Sequence, residues 1–119
     1  MARVMLVEDD ETMVSLLTTL LKIDGFEVLP VSPDQDVAAA VKSDCPDVVL
    51  MDVYLSDQNG IEILRSIRTN SGPCKPRVVM ISGLNLREEC MQSGADGFLL
   101  KPFSPDDLVG MLRQALKAG

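Results

Sequence analysis

Short apolar runs alternate along the chain with longer stretches of helical period. The runs are Val4 to Val7, Glu27 to Val31, Val48 to Met51, Arg77 to Ile81 and Gly97 to Leu100. Between the first two, Met13, Leu16, Leu17, Leu20 and Leu21 fall on one helical face, and Ile63, Leu64 and Ile67 repeat the pattern in the third unit. Five strands alternating with helices predict an α/β fold, a parallel sheet covered by helices.

Boundary residues support that reading. Ser32-Pro33-Asp34-Gln35 sets a cap, a proline at the first helical position and a capping-box glutamine in order, and so predicts a helix start. Ser104-Pro105-Asp106-Asp107 repeats the logic, and Leu108, Leu112 and Leu116 then form one stripe of a helix running to about Lys117. Gly25, Gly60, Gly72 and Gly94 mark turns or helix ends. No linker or internal repeat interrupts the pattern, so residues 1–119 are expected to form a single domain.

Composition narrows the core and the partners. The chain is 46% hydrophobic but only 3% aromatic, which calls for a core of aliphatic and methionine side chains. A net charge of -7 disfavours contact with a phosphate backbone, and direct nucleic-acid binding is not expected. Cys45, Cys74 and Cys90 are odd in number and lack CxxC spacing, and histidine is absent; this suggests neither a disulfide framework nor a zinc site, and fits a reducing cytoplasm. The apolar run Val4 to Val7 meets Glu8-Asp9-Asp10 at once, too soon for a signal peptide or membrane span.

In an open parallel sheet, ligands bind beyond the carboxyl ends of the strands. Glu8, Asp9 and Asp10 follow the first run, Asp52 the third, Ser82 the fourth and Lys101 the fifth. Carboxylates gathered there repel one another, a strain that a divalent cation relieves; oxygen-only donors favour Mg²⁺. A hydroxyl and an ammonium in the same crevice would donate to phosphoryl oxygens, which suits an aspartyl phosphate at Asp52.

Glu8-Asp9-Asp10, Asp52, Gly60, Ser82-Gly83, Gly94-Ala95-Asp96-Gly97 and Lys101-Pro102-Phe103 together resemble the receiver domain of bacterial two-component response regulators, over essentially the whole chain. The resemblance implies a doubly wound, flavodoxin-like sheet of order 2-1-3-4-5. It implies a signalling switch in which Asp52 takes a phosphoryl group from a histidine kinase or histidine phosphotransfer protein, rather than an enzyme turning over a metabolite. Mg²⁺ would be held by Asp9, Asp10, Asp52 and the backbone carbonyl of Tyr54. Lys101 and Ser82 would contact phosphoryl oxygens, Ser82 and Phe98 would form the switch pair, and the Lys101-Pro102 bond would be cis. Output would pass to a downstream protein, to a C-terminal effector domain outside the chain, or through a homodimer.

Two departures carry expectations of their own. Ser56 stands where receivers commonly have proline, which predicts a less rigid loop from Tyr54 to Asn59, while Tyr54 and Leu84 flank the site and are expected to shield a phosphoryl group and slow its hydrolysis. Nineteen positions separate Ser82 from Lys101, about one helical turn fewer than usual, which predicts a shortened fourth helix within Asn85 to Ser93 and a changed partner surface. An aspartyl-phosphate phosphatase would need a second acid where Tyr54 stands. A docking module that works without phosphorylation would have no use for the acidic set.

Overall fold

The computed structural model describes residues 2–70 and 72–117. Its strands are β1 (Arg3–Val7), β2 (Glu27–Val31), β3 (Val48–Asp52), β4 (Arg77–Ser82) and β5 (Gly97–Leu100), each within one residue of the apolar runs. The helices are α1 (Glu11–Ile23), α2 (Val37–Asp44), α3 (Gly60–Asn70), α4 (Arg87–Gln92) and α5 (Pro105–Lys117). All pairings within this five-stranded sheet are parallel and the strand order is β2-β1-β3-β4-β5, the doubly wound order expected.

Alternation along each strand divides the core between the two faces of the sheet. Val4, Leu6, Val48, Leu50, Val79, Ile81 and Leu99 pack with Leu17, Leu21, Leu108 and Leu112 of α1 and α5. Met5, Val7, Val49, Met51, Val78, Met80 and Phe98 pack with Val41, Leu64, Ile67 and Cys90 of α2, α3 and α4. The α1 stripe is narrower than its spacing suggests: Leu17 and Leu21 are buried, while Leu16 is 52% exposed.

Several local expectations are corrected. Ser32 does not start a helix; its Oγ accepts from Asp34 N–H and its carbonyl from Gln35 N–H, a turn that delays α2 until Asp36, whose carboxylate accepts from Ala39 N–H at 3.0 Å. At α5 the box forms as expected, Ser104 Oγ accepting from Asp107 N–H and Asp107 Oδ2 from Ser104 N–H. The cysteine reading is also overturned: Cys45 and Cys74 form a disulfide with a Cα separation of 5.4 Å. Sequence spacing concealed it because the end of α2 and the approach to β4 meet only in the folded chain.

Helix α4 is short, six residues from Arg87 to Gln92. Its end is held from α3. Arg68 Nε and Nη2 donate to Gly94 O at 2.9 and 2.7 Å, Nη1 donates to Pro76 O, and Nη2 reaches Asp96 Oδ2 at 2.8 Å. Gly94 sits at φ +108°, a conformation that disfavours any residue with a Cβ. Among the described residues, no helix is long and apolar enough to cross a membrane.

Candidate functional site

The two-residue alternation that builds the core also builds the crevice. Continued one step past Leu6, Leu50 and Leu99, it brings Glu8, Asp52 and Lys101 to the α1/α5 side of the sheet. Ser82 has the other parity and shares the opposite face with Val78, Met80 and Phe98. Register aligns these positions across the strands: Val7 pairs with Met51, Asp52 with Ile81, and Ser82 with Leu100.

Asp52 lies at the centre and is 6% exposed. Its Oδ1 accepts from Tyr54 N–H at 2.9 Å and its Oδ2 from Lys101 Nζ at 2.5 Å, so one charge-assisted bond and one backbone bond fix the carboxylate. Ser82 is fully buried, its Oγ accepting from Leu84 N–H at 3.0 Å, and its carbonyl accepts from Lys101 N–H at 2.8 Å. The Lys101-Pro102 peptide bond is cis. Beneath Asp52, Gly60 opens α3 so close to β3 that a Cβ there would lie 2.3 Å from the Asp52 carbonyl oxygen.

The acidic residues after β1 take three different roles. Glu8 is 9% exposed, and burial, with a smaller contribution from the Asp52 charge, pushes its carboxyl up to about 7. Asp9 Oδ2 accepts from both the N–H (2.6 Å) and the hydroxyl of Ser56, bonds that hold the exposed carboxyl below the usual range. Asp10, expected beside a cation, caps α1, with Oδ1 accepting from Thr12 and Met13 N–H at 2.9 and 3.2 Å. Glu8 is thus the acid that faces Asp52. The signal was its position, since each acid directly follows a four-residue apolar run.

Glu8, Asp9 and Asp52 set three carboxylates against the single ammonium of Lys101. Among the described residues no group of three or more acidic, thiol or imidazole side chains is placed to hold a metal ion. The donor chemistry is oxygen-only, the kind a hard divalent cation takes when water supplies most of its coordination.

The loop after Asp52 is not the loose segment expected from Ser56. Tyr54–Leu55 and Gln58–Asn59 pair as a small antiparallel hairpin, Gln58 Nε2 donates to Pro33 O, and Asn59 Oδ1 accepts from Ile61 N–H at 2.8 Å. Tyr54 and Leu84 are exposed, whereas Phe98 is buried. On the α1 side, Met13, Leu16, Leu20, Pro102, Phe103 and Pro105 line an apolar groove of about 580 Å³ that reaches Lys101.

The family model described as response regulator receiver domain matches residues 4–113. The chain belongs to that family. Receiver domains are the phosphorylation-controlled switches of two-component signalling, modules rather than turnover enzymes. The receiver is 32% identical over 117 residues to the DNA-binding response regulator MtrA of Mycolicibacterium paratuberculosis, covering 97% of this chain and 51% of that protein. It is 36% identical to the transcriptional regulatory protein CpxR of Escherichia coli, covering 98% of this chain and 50% of CpxR. The chain therefore spans about half the length of these relatives. The chemotaxis protein CheY4 of Vibrio cholerae superposes with a TM-score of 0.85 at 25% identity, over 97% of this chain and 98% of that one. The receiver domain of the Pseudomonas aeruginosa kinase PA1611, whose active site cleft coordinates a magnesium ion, shares the fold at TM-score 0.83 and 24% identity, over 98% of each chain.

Proposed function

We propose that Asp52 is the phosphoacceptor of this receiver and that Glu8, Asp9, Asp52 and the Tyr54 carbonyl hold Mg²⁺, with Asp10 serving as a helix cap. The observation that carries the reading is the buried Asp52 carboxylate with Lys101 Nζ 2.5 Å from one oxygen and Tyr54 N–H on the other. Asp52 attacks phosphorus as the P–N bond to a donor histidine breaks, the leaving imidazole keeping the electron pair. Lys101 and the Ser82 hydroxyl then turn to the phosphoryl oxygens, and the movement of Ser82 is read by Phe98 on the same face of the sheet. Bound Mg²⁺ would supply charge neutralisation for the transferring group.

The donor is a histidine kinase or histidine phosphotransfer protein. The apolar groove beside Lys101 suits an amphipathic helix that brings its histidine to Asp52. Such donors draw on intracellular nucleoside triphosphate, so we assign the domain to the cytoplasm; the cysteines no longer argue for it. Residues 1–119 act as one receiver unit, whose output is a contacting protein or an effector domain joined to it. Exposed Tyr54 and Leu84 shield the phosphoryl group; a phosphorylated half-life of seconds, unchanged in Tyr54→Ala, would overturn that assignment.

The test of the acceptor is intact-protein mass after incubation with Mg²⁺ and a small acyl phosphate. Wild type should gain about 80 Da and lose the gain on chelation, and Asp52→Asn should gain nothing. Absence of a gain in folded, Mg²⁺-binding wild type would favour a docking module that works without phosphorylation.

A further inference from the structure

The hydrogen bonds around Asp9 point to a role for Ser56 that proline in its place would not have. Ser56 donates twice to the same oxygen, Asp9 Oδ2, once from its backbone N–H at 2.6 Å and once from its hydroxyl. Proline has neither donor, and alanine only the first. Both bonds end on Oδ2, so the loop engages one oxygen of a carboxylate whose side chain also meets Glu8, the acid that faces Asp52.

Ser56 is not free to swing away from this contact. It sits at the turn of the hairpin whose strands pair Tyr54 with Asn59 and Leu55 with Gln58. One arm is anchored where Tyr54 N–H meets Asp52 Oδ1, and the other where Gln58 Nε2 reaches Pro33 O across the β2–α2 connection. The hairpin joins two carboxylates that come from different strands: Asp52 at its base and Asp9 at its tip. A flexible, exposed aspartate would lose rotamer freedom on binding a cation, and a hydrogen bond from a fixed loop removes part of that cost in advance.

We propose that Ser56 is a positioning residue for metal binding, its hydroxyl and N–H holding Asp9 in the rotamer that meets the cation. The inference rests on the assignment of Mg²⁺ to Glu8, Asp9 and Asp52 made above. It predicts that this receiver replaces the rigidity of a proline loop with a direct bond to a ligand carboxylate.

The chain carries one tyrosine, Tyr54, and no tryptophan, so tyrosine emission reports from a residue two positions beyond Asp52. Mg²⁺ titrations followed by that emission, and by calorimetry, should be run on wild type, Ser56→Ala and Ser56→Thr. Ser56 is exposed, so both substitutions are compatible with folding. The Mg²⁺ Kd should weaken about 10-fold in Ser56→Ala and return to within about 2-fold of wild type in Ser56→Thr, which restores the hydroxyl. Equal or tighter binding by Ser56→Ala, or equal losses in both variants, would overturn the role of Ser56 and leave the metal assignment intact. Wild type that binds no Mg²⁺ would overturn both.

Discussion

Gly60 gives the sharpest link between packing and the site. A Cβ on Gly60 would lie 2.3 Å from the Asp52 carbonyl oxygen, 3.0 Å from Val53 Cα and 3.1 Å from Asp52 C. Ordinary contact begins near 3.4 Å, so Gly60→Ala demands a relative shift of about 1 Å. The obstacle is main chain of the central strand β3, whose neighbours Leu50 and Met51 are fully buried. It therefore cannot yield as a flexible side chain would. Overpacking of this kind costs about 1–3 kcal/mol, and a 1 Å displacement of a reacting group costs up to about 100-fold in rate. Gly110 is the internal control: it lies on the exposed side of α5, where an added methyl group would meet nothing within 4 Å, so Gly110→Ala should stabilise by about 0.5–1 kcal/mol. Urea unfolding midpoints at constant m, together with the initial rate of acyl-phosphate labelling, measure both effects. Gly60→Ala with a stability within about 0.5 kcal/mol of wild type and an unchanged labelling rate would refute the reasoning.

Three further outcomes follow from the fold. Because the folded pKa of Glu8 is raised from 4.5 to about 7, its stability contribution is full below pH 4.5 and is lost as pH rises through about 7. In chelator, Glu8→Gln should therefore match wild type near pH 4.5 and exceed it by about 2–3 kcal/mol at pH 8, a difference that urea titrations across pH would reveal and that a pH-independent offset would contradict. Arg68→Ala removes the ties from α3 to Gly94, Pro76 and Asp96 and should cost about 2–3 kcal/mol by chemical denaturation; Arg68→Lys, lacking the planar fork, should recover little of it. Reducing Cys45–Cys74, which closes a 29-residue separation, should lower stability by about 3.5 kcal/mol, and Cys45→Ser should melt at the same temperature with or without reductant.

The features legible in the chain are those set by neighbours in sequence. Runs of four or five residues locate all five strands to within one residue; β1, β3 and β4, buried on both faces, need continuous apolar character, while edge strand β2 keeps Glu27 and Pro30 exposed. Ser104 and Asp107 announce α5, since a capping box closes within one turn. Asp52, Ser82 and Lys101 stand out because each directly follows an apolar run, and the short Ser82 to Lys101 interval leaves room for only the six-residue α4.

Other features depend on residues that meet only after folding. Asp9 and Asp10 are equivalent acids in the sequence, yet Asp10 caps α1 while Asp9 takes two bonds from Ser56, 47 residues away. Glu8, rather than Asp10, faces Asp52 because parallel register sets the end of β1 beside the end of β3. Ser32 has every local mark of a helix cap, but its side chain closes a turn and Asp36 starts the helix. The Cys45–Cys74 bond and the close approach of Gly60 likewise belong to the packing of α2 and α3 against the sheet. Periodicity and capping are local energies that a sequence states directly. The partner of a carboxylate or a thiol is chosen by which strands and loops the tertiary structure brings within bonding distance, and that choice fixed the division of labour among Glu8, Asp9 and Asp10.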